Sequence, residues 1–134
     1  MRHSGRGGLC SVPGAGVWCE EGKGCVCSGF GESCIRTLLA KRICDVGMDE
    51  EEIQFLLDTK LREDMKRMRI EREPSFGVLS IVASEKDKPQ LLAAHNSPNF
   101  AYGYAVIRDD LESEIRVQLS ETNNGQCTVT RIDL

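Results

Sequence analysis

Read along the chain, the apolar positions change period several times, and each change marks an element. Gly16-Val17-Trp18-Cys19 reads as a short strand and Glu20-Glu21-Gly22-Lys23-Gly24 as a polar turn. Cys25-Val26-Cys27 is a second strand, so the pair predicts a hairpin. Beyond Ser28-Gly29-Phe30-Gly31, the residues Ile35, Leu38, Leu39 and Ile43 recur at helical spacing, and Gly47 marks the end of that helix. Asp49-Glu50-Glu51-Glu52 opens a second helix with acid in its first turn, which suits the helix dipole. Ile53, Leu56, Leu57, Leu61, Met65 and Met68 form its apolar stripe, and Pro74 ends any continuation.

The remainder predicts strands. They run over Phe76 to Ala83, Gln90 to His95, Phe100 to Ile107, Glu114 to Leu119 and Cys127 to Ile132. In the fourth of these Ile115, Val117 and Leu119 fall on one face. Glu85 to Pro89 is a turn, and short gaps between strands favour an antiparallel meander. A hairpin, two helices and then a run of strands predicts an α+β fold with helices packed on one sheet face. With 134 residues, the chain is expected to form a single domain over 1–134.

Composition narrows the function classes. A net charge of −4 argues against a nucleic-acid surface. No run of eighteen apolar residues is present, so no membrane span is expected. Met1 to Gly8 has no apolar core of a secretory signal. Six of the seven cysteines lie between Cys10 and Cys44 and Cys127 stands apart. An odd count without a signal points to reduced thiols and a cytoplasmic or nuclear setting.

Candidate chemistry gathers in the first thirty residues. Gly5, Gly7, Gly8, Gly14 and Gly16 with Pro13 exclude a regular element there and require unusual backbone angles or close approach. In Ser28-Gly29-Phe30-Gly31-Glu32 a strand enters a helix through a glycine turn, where backbone N–H groups could receive an oxyanion. The plainer reading is that Ser28 caps the helix and the glycines make the turn. The third glycine of a dinucleotide fingerprint is missing. Arg6, held in Gly5-Arg6-Gly7-Gly8, could present its planar fork to a carboxylate, or simply face solvent. Cys19, Cys25, Cys27 and Cys34 lack the C-x2–4-C knuckles of structural zinc sites, so no metal is expected. Cys25 and Cys27 share a strand face, where thiols pack as small hydrophobes. His3 sits in the loop and His95 ends a strand, with no Ser–His–Asp arrangement assignable. Asp109-Asp110 reads as a turn.

Taken together, His3-Ser4-Gly5-Arg6-Gly7-Gly8, Val12-Pro13-Gly14-Ala15-Gly16-Val17-Trp18, Ser28-Gly29-Phe30-Gly31-Glu32 and Ile35-Arg36-Thr37-Leu38-Leu39-Ala40 resemble one family. It is the N-terminal-nucleophile hydrolases of the plant-type asparaginase, isoaspartyl peptidase and threonine aspartase (taspase) group. Ser28, His95-Asn96-Ser97 and Tyr102-Gly103-Tyr104 look more like the taspase branch.

The resemblance implies part of an αββα sandwich, namely the C-terminal, β-subunit part. It implies hydrolysis of an amide at aspartate or asparagine, in a peptide or small molecule, with no cofactor. A freed N-terminal threonine would be nucleophile and its own α-amine the base. Arg6 and Gly8 match the loop that grips the substrate carboxylate. Ser28 and Gly29 match the oxyanion-hole turn. Three positions depart from the pattern: Gly7 replaces a valine, Leu9 stands where asparaginases carry aspartate, and no threonine precedes Thr37. The chain alone is therefore expected to be inactive. Its expected partner is a missing α-subunit region or a homologous chain, which could also make it a non-catalytic module or a degenerate paralogue.

Overall fold

Alternation of side chains along five paired strands divides this protein into a helix-covered face and a second, partly covered face. The structure, a computed structural model, describes residues 11–83, 86, 88–110, 112–122 and 125–134. The strands are β1 (Val17–Glu20), β2 (Lys23–Gly29), β3 (Phe76–Val82), β4 (Gln90–His95), β5 (Asn99–Ile107), β6 (Ser113–Glu121) and β7 (Thr128–Asp133). One antiparallel sheet has the order β1-β2-β3-β4-β7, while β5 and β6 form a separate hairpin. The fold is α+β, as the order of elements predicts. The simple meander is corrected, because β5–β6 leave the sheet and β7 returns to pair with β4.

Cys25, Cys27, Phe76, Val78, Leu92 and Ala94 point to the helical layer and form the main core with it. That layer comprises α1 (Gly31–Thr37), α2 (Leu39–Val46), α3 (Glu50–Phe55), a π-helical turn (Leu56–Lys60) and α4 (Leu61–Arg67). The predicted first helix is broken at Leu38, whose φ is 52°. The break has a local cause. The N–H groups of Ala40 and Lys41, in the first turn of α2, donate to the carbonyls of Ala15 and Gly14 in the glycine loop. α2 is thus capped by that loop and takes its direction from it. Leu39 and Ile43 are buried as expected, but Ile35 and Leu38 are exposed because of the break.

In the second helical run Ile53, Leu56, Leu57, Leu61 and Met65 of the expected stripe are buried, and Met68, past the end of α4, is half-buried. Asp49 caps α3, its side chain accepting from the Glu52 N–H. Asp58 in the π turn accepts from the N–H of Cys127 at 3.1 Å and from the Gln54 amide, which also donates to the Cys127 carbonyl at 2.7 Å. This clamp seats the start of β7 on the helix.

Leu79, Leu91, Ala93 and Ile132 point to the other face, where Phe100, Tyr102 and Tyr104 of β5 pack on them. The register aligns Ser28, Gly77, His95 and Thr128 in one row across four strands of the sheet. Gly77 is glycine for a steric reason: a Cβ there would lie 2.4 Å from the Phe100 ring. The hairpin turns Ile107, Ile115, Val117 and Leu119 away from the sheet, leaving them 81%, 76%, 81% and 64% exposed. The shared face of Ile115, Val117 and Leu119 is the one expected, but it is not a core face. Over β1, β2 and the Ile81 end of β3 the second face carries no layer among the described residues. An open apolar depression of about 380 Å³ lies there, lined by Val17, Val26, Leu79, Ile81 and Leu91.

Candidate functional site

Ser28 and Gly29 end β2, opposite Gly77 and Phe76 of β3, and both are exposed. Gly29 has a φ of 137°, which side chains rarely allow. A Cβ on it would lie 2.0 Å from the Ser75 carbonyl oxygen and 2.6 Å from the Phe76 Cα. Backbone therefore passes where any other residue would place its side chain. The same close approach lets the Phe30 N–H donate to the Ser75 carbonyl at 2.8 Å.

The capping reading of Ser28 is not what the structure shows. Phe30 occupies the N-cap of α1 and no side chain caps that helix. Among the described residues, nothing holds the Ser28 hydroxyl. It stands at the open end of the strand, on the second face of the sheet, where it can donate to a developing oxyanion. Sequence reasoning missed Arg72, whose guanidinium lies 4.5 Å from the centre of the Phe30 ring and brings positive charge beside the turn. No periodicity places Arg72 there, because the segment after α4 is irregular. Glu32, in the first turn of α1, is 3.4 Å from Arg36 and so partly offset.

The Pro13-Gly14-Ala15-Gly16 loop is bound into the scaffold. Beyond its two bonds to α2, Gly16 accepts from the Cys27 N–H at 2.8 Å and Ala15 is fully buried. Gly14, at φ 86°, makes the turn. This loop positions β2 against α2, which supports the Ser28 turn. Arg6, Gly8 and His3 lie outside the described residues.

The cysteines pack as thiols. Cys25 and Cys27 sulfurs are 3.8 Å apart on the helix-facing side of β2. The hydrogen bond shared with Cys25, followed by burial, pushes the Cys27 thiol up from its ordinary range. Burial also pushes Cys34 up to about 11 and Cys127 to about 12. Among the described residues no group of three or more His, Cys, Asp or Glu side chains is arranged to hold a metal ion. Asp110 caps its own turn by accepting from the Glu112 N–H at 3.1 Å. Thr37, the first threonine of the sequence, is buried in α1 with its hydroxyl donating to the Ser33 carbonyl at 2.6 Å. No helix among the described residues is long and apolar enough to cross a membrane. The chain matches no family model and no curated protein.

Proposed function

We propose that this chain supplies part of a threonine-type amide hydrolase of the N-terminal-nucleophile class, acting at an aspartate or asparagine residue. The observation that carries the reading is the Ser28–Gly29 turn. An uncommitted hydroxyl stands beside a glycine whose Cβ position is filled by the Ser75–Phe76 backbone, so the main chain that carries the donor is fixed at this point. Preorganised donors of this kind stabilise charge that develops in the transition state. The two-faced sheet supports the same reading, with helices on one side and the beginning of a second sheet layer on the other. In this scheme Ser28 and Gly29 stabilise the oxyanion, and Arg6 and Gly8 hold the substrate carboxylate. The scheme needs an attacking threonine ahead of the Arg6 loop, and Thr37, enclosed in α1, does not fill that role. No cofactor takes part, and the setting is cytoplasmic or nuclear.

The test joins the chain to polypeptide that supplies a freed N-terminal threonine and follows ammonia or peptide release from asparagine, isoaspartyl and aspartyl substrates. Ser28→Ala should lower kcat about 100-fold, the usual loss for one oxyanion donor. An unchanged kcat refutes the assignment. Turnover by the chain alone, abolished in Arg6→Ala, refutes the need for an external nucleophile.

A second reading is a non-catalytic interaction module. The exposed hairpin face of Ile107, Ile115, Val117 and Leu119 favours it, since so much contiguous apolar surface is unusual on a free monomer. On this reading a homologous full-length chain should co-purify with the protein, Ile115→Ser and Val117→Ser should remove it, and Ser28→Ala should leave it bound.

A further inference from the structure

His95 ends β4 and Ser120 lies near the end of β6, and sequence pattern gives no reason to associate them. The hairpin brings the Ser120 Oγ to 2.7 Å from His95 Nε2. The other ring nitrogen, Nδ1, is 2.9 Å from the Ser97 carbonyl oxygen. A carbonyl only accepts, so Nδ1 carries the proton of the neutral ring. Nε2 is then a free lone pair, and the Ser120 hydroxyl donates to it. Nucleophile, base and orienting group stand in a single chain, the arrangement that activates a serine hydroxyl.

The surroundings hold this chain in place. Phe100 stacks on the imidazole with ring centres 5.2 Å apart, in the seat that Gly77 leaves open. Ser97 is fixed by its own hydroxyl, which donates to the Asn99 carbonyl at 3.0 Å. The next turn residue, Pro98, accepts from the Thr122 N–H at 3.2 Å and so ties the β6 end to the same turn. Asn96 accepts from the Phe76 N–H and donates to the Pro74 carbonyl, anchoring the turn on β3. His95 is 1% exposed, whereas Ser120 is half-buried and reachable from outside. The base is dry, and the nucleophile lies on the sheet-facing side of the hairpin with part of its surface exposed.

The geometry points to Ser120 as a nucleophile activated by His95, an acyl-transfer site for small aryl esters. Ser120 Oγ bonds to the ester carbonyl carbon as its proton passes to Nε2. The bond to the aryl oxygen breaks, and that oxygen leaves with the proton. Water then attacks the acyl-serine while His95 accepts its proton, and the carboxylic acid departs as Ser120 is restored. This site is separate from the amide-hydrolase reading and does not rest on it. His95 and Ser28 occupy the same row on the same face, two strand spacings or roughly 10 Å apart.

A fluorophosphonate probe tests the site on the full chain, with modified serines mapped by peptide mass spectrometry. Ser120 Oγ displaces fluoride from phosphorus by the same proton transfer. The expected result is selective modification of Ser120, none at position 120 in Ser120→Ala, and at least 100-fold slower reaction in folded His95→Gln, as for loss of a general base. Urea unfolding of the unmutated chain should reduce Ser120 to the reactivity of its other serines, which decides the matter if His95→Gln does not fold. An unmodified Ser120 in the native chain, or equal labelling with and without His95 or the fold, overturns the proposal.

Discussion

Replacing Gly29 with alanine tests the packing argument at the candidate site in energetic terms. Two penalties combine there. A φ of 137° is strained for alanine, and the added methyl meets the Ser75 carbonyl oxygen at 2.0 Å. Backbone strain of this type costs about 1–3 kcal/mol. Forcing the β2 and β3 ends apart adds an overpacking cost of about 1–3 kcal/mol. Loss of the bond between the Phe30 N–H and the Ser75 carbonyl adds about 1 kcal/mol. The total is on the order of 4 kcal/mol, a large part of the roughly 5–15 kcal/mol that holds a domain together. Gly47 provides the comparison, because its φ is 89° but nothing lies within 4 Å of a Cβ there. Gly47→Ala therefore carries strain alone, about 1–3 kcal/mol. Urea unfolding followed by far-ultraviolet circular dichroism reads both. With a slope of about 2 kcal/mol per molar urea, Gly29→Ala should lower the midpoint by roughly 2 M and Gly47→Ala by about half that or less. Equal shifts for the two variants would show that the close approach at Gly29 is not what makes it glycine.

Four further outcomes follow from the packing. Asp58→Ala removes the acceptor shared by Gln54 and the Cys127 N–H, so it should cost about 1–3 kcal/mol and raise amide exchange along β7; unchanged exchange there refutes the clamp. Ile115→Ser, Val117→Ser and Leu119→Ser should each change stability by no more than about 0.5 kcal/mol while reducing binding of the apolar dye ANS, and a large loss of stability would mean that this face is packed. Cys34 and Cys127 keep their protons in the folded state up to about 11 and 12, while the unfolded chain releases them near 9. Stability should therefore be whole below about 9 and fall as pH rises toward 11, seen as a lower urea midpoint at pH 10 than at pH 8. A midpoint that rises over this interval refutes the burial of these thiols. In the native chain, the exposed Cys19 should react with a disulfide reagent before Cys25, Cys27 or Cys34.

Much of the fold is written in local pattern. β4 falls on Gln90–His95, as its apolar run predicts, and the stripe from Ile53 to Met65 is buried on one side. What pattern misses is set by long-range partners. The break at Leu38 depends on carbonyls from Gly14 and Ala15, more than twenty residues earlier. The outward face of Ile115 follows from how the hairpin docks through Phe100, Tyr102 and Tyr104. Alternation identifies a face but not which side of it meets the core. At the candidate site, the need for Gly29 is legible in its position between strand and helix, while Arg72 is not. The approach of Ser120 to His95 is invisible for the same reason, since it requires both the β5–β6 register and the placing of that hairpin on the sheet.

The π-helical turn at Leu56–Lys60 also bears on how this helix can change length. Ile53, Leu57, Leu61 and Met65 recur every fourth residue. In a regular α-helix four residues overshoot a full circle by about 40°, so this row would drift by about 120° from first to last. The wider turn winds part of that drift back and keeps Met65 buried alongside Ile53. The helix is in effect a phase adjuster, one residue longer than regular winding would need, with Asp58 tethering the surplus to β7. In the language of insertions and deletions, its two ends are not interchangeable in register. Removing Thr59 lets this turn return to regular α winding and leaves Leu61 and Met65 close to their present phase relative to Ile53, so a deletion scan should find this turn more tolerant than the regular turns on either side.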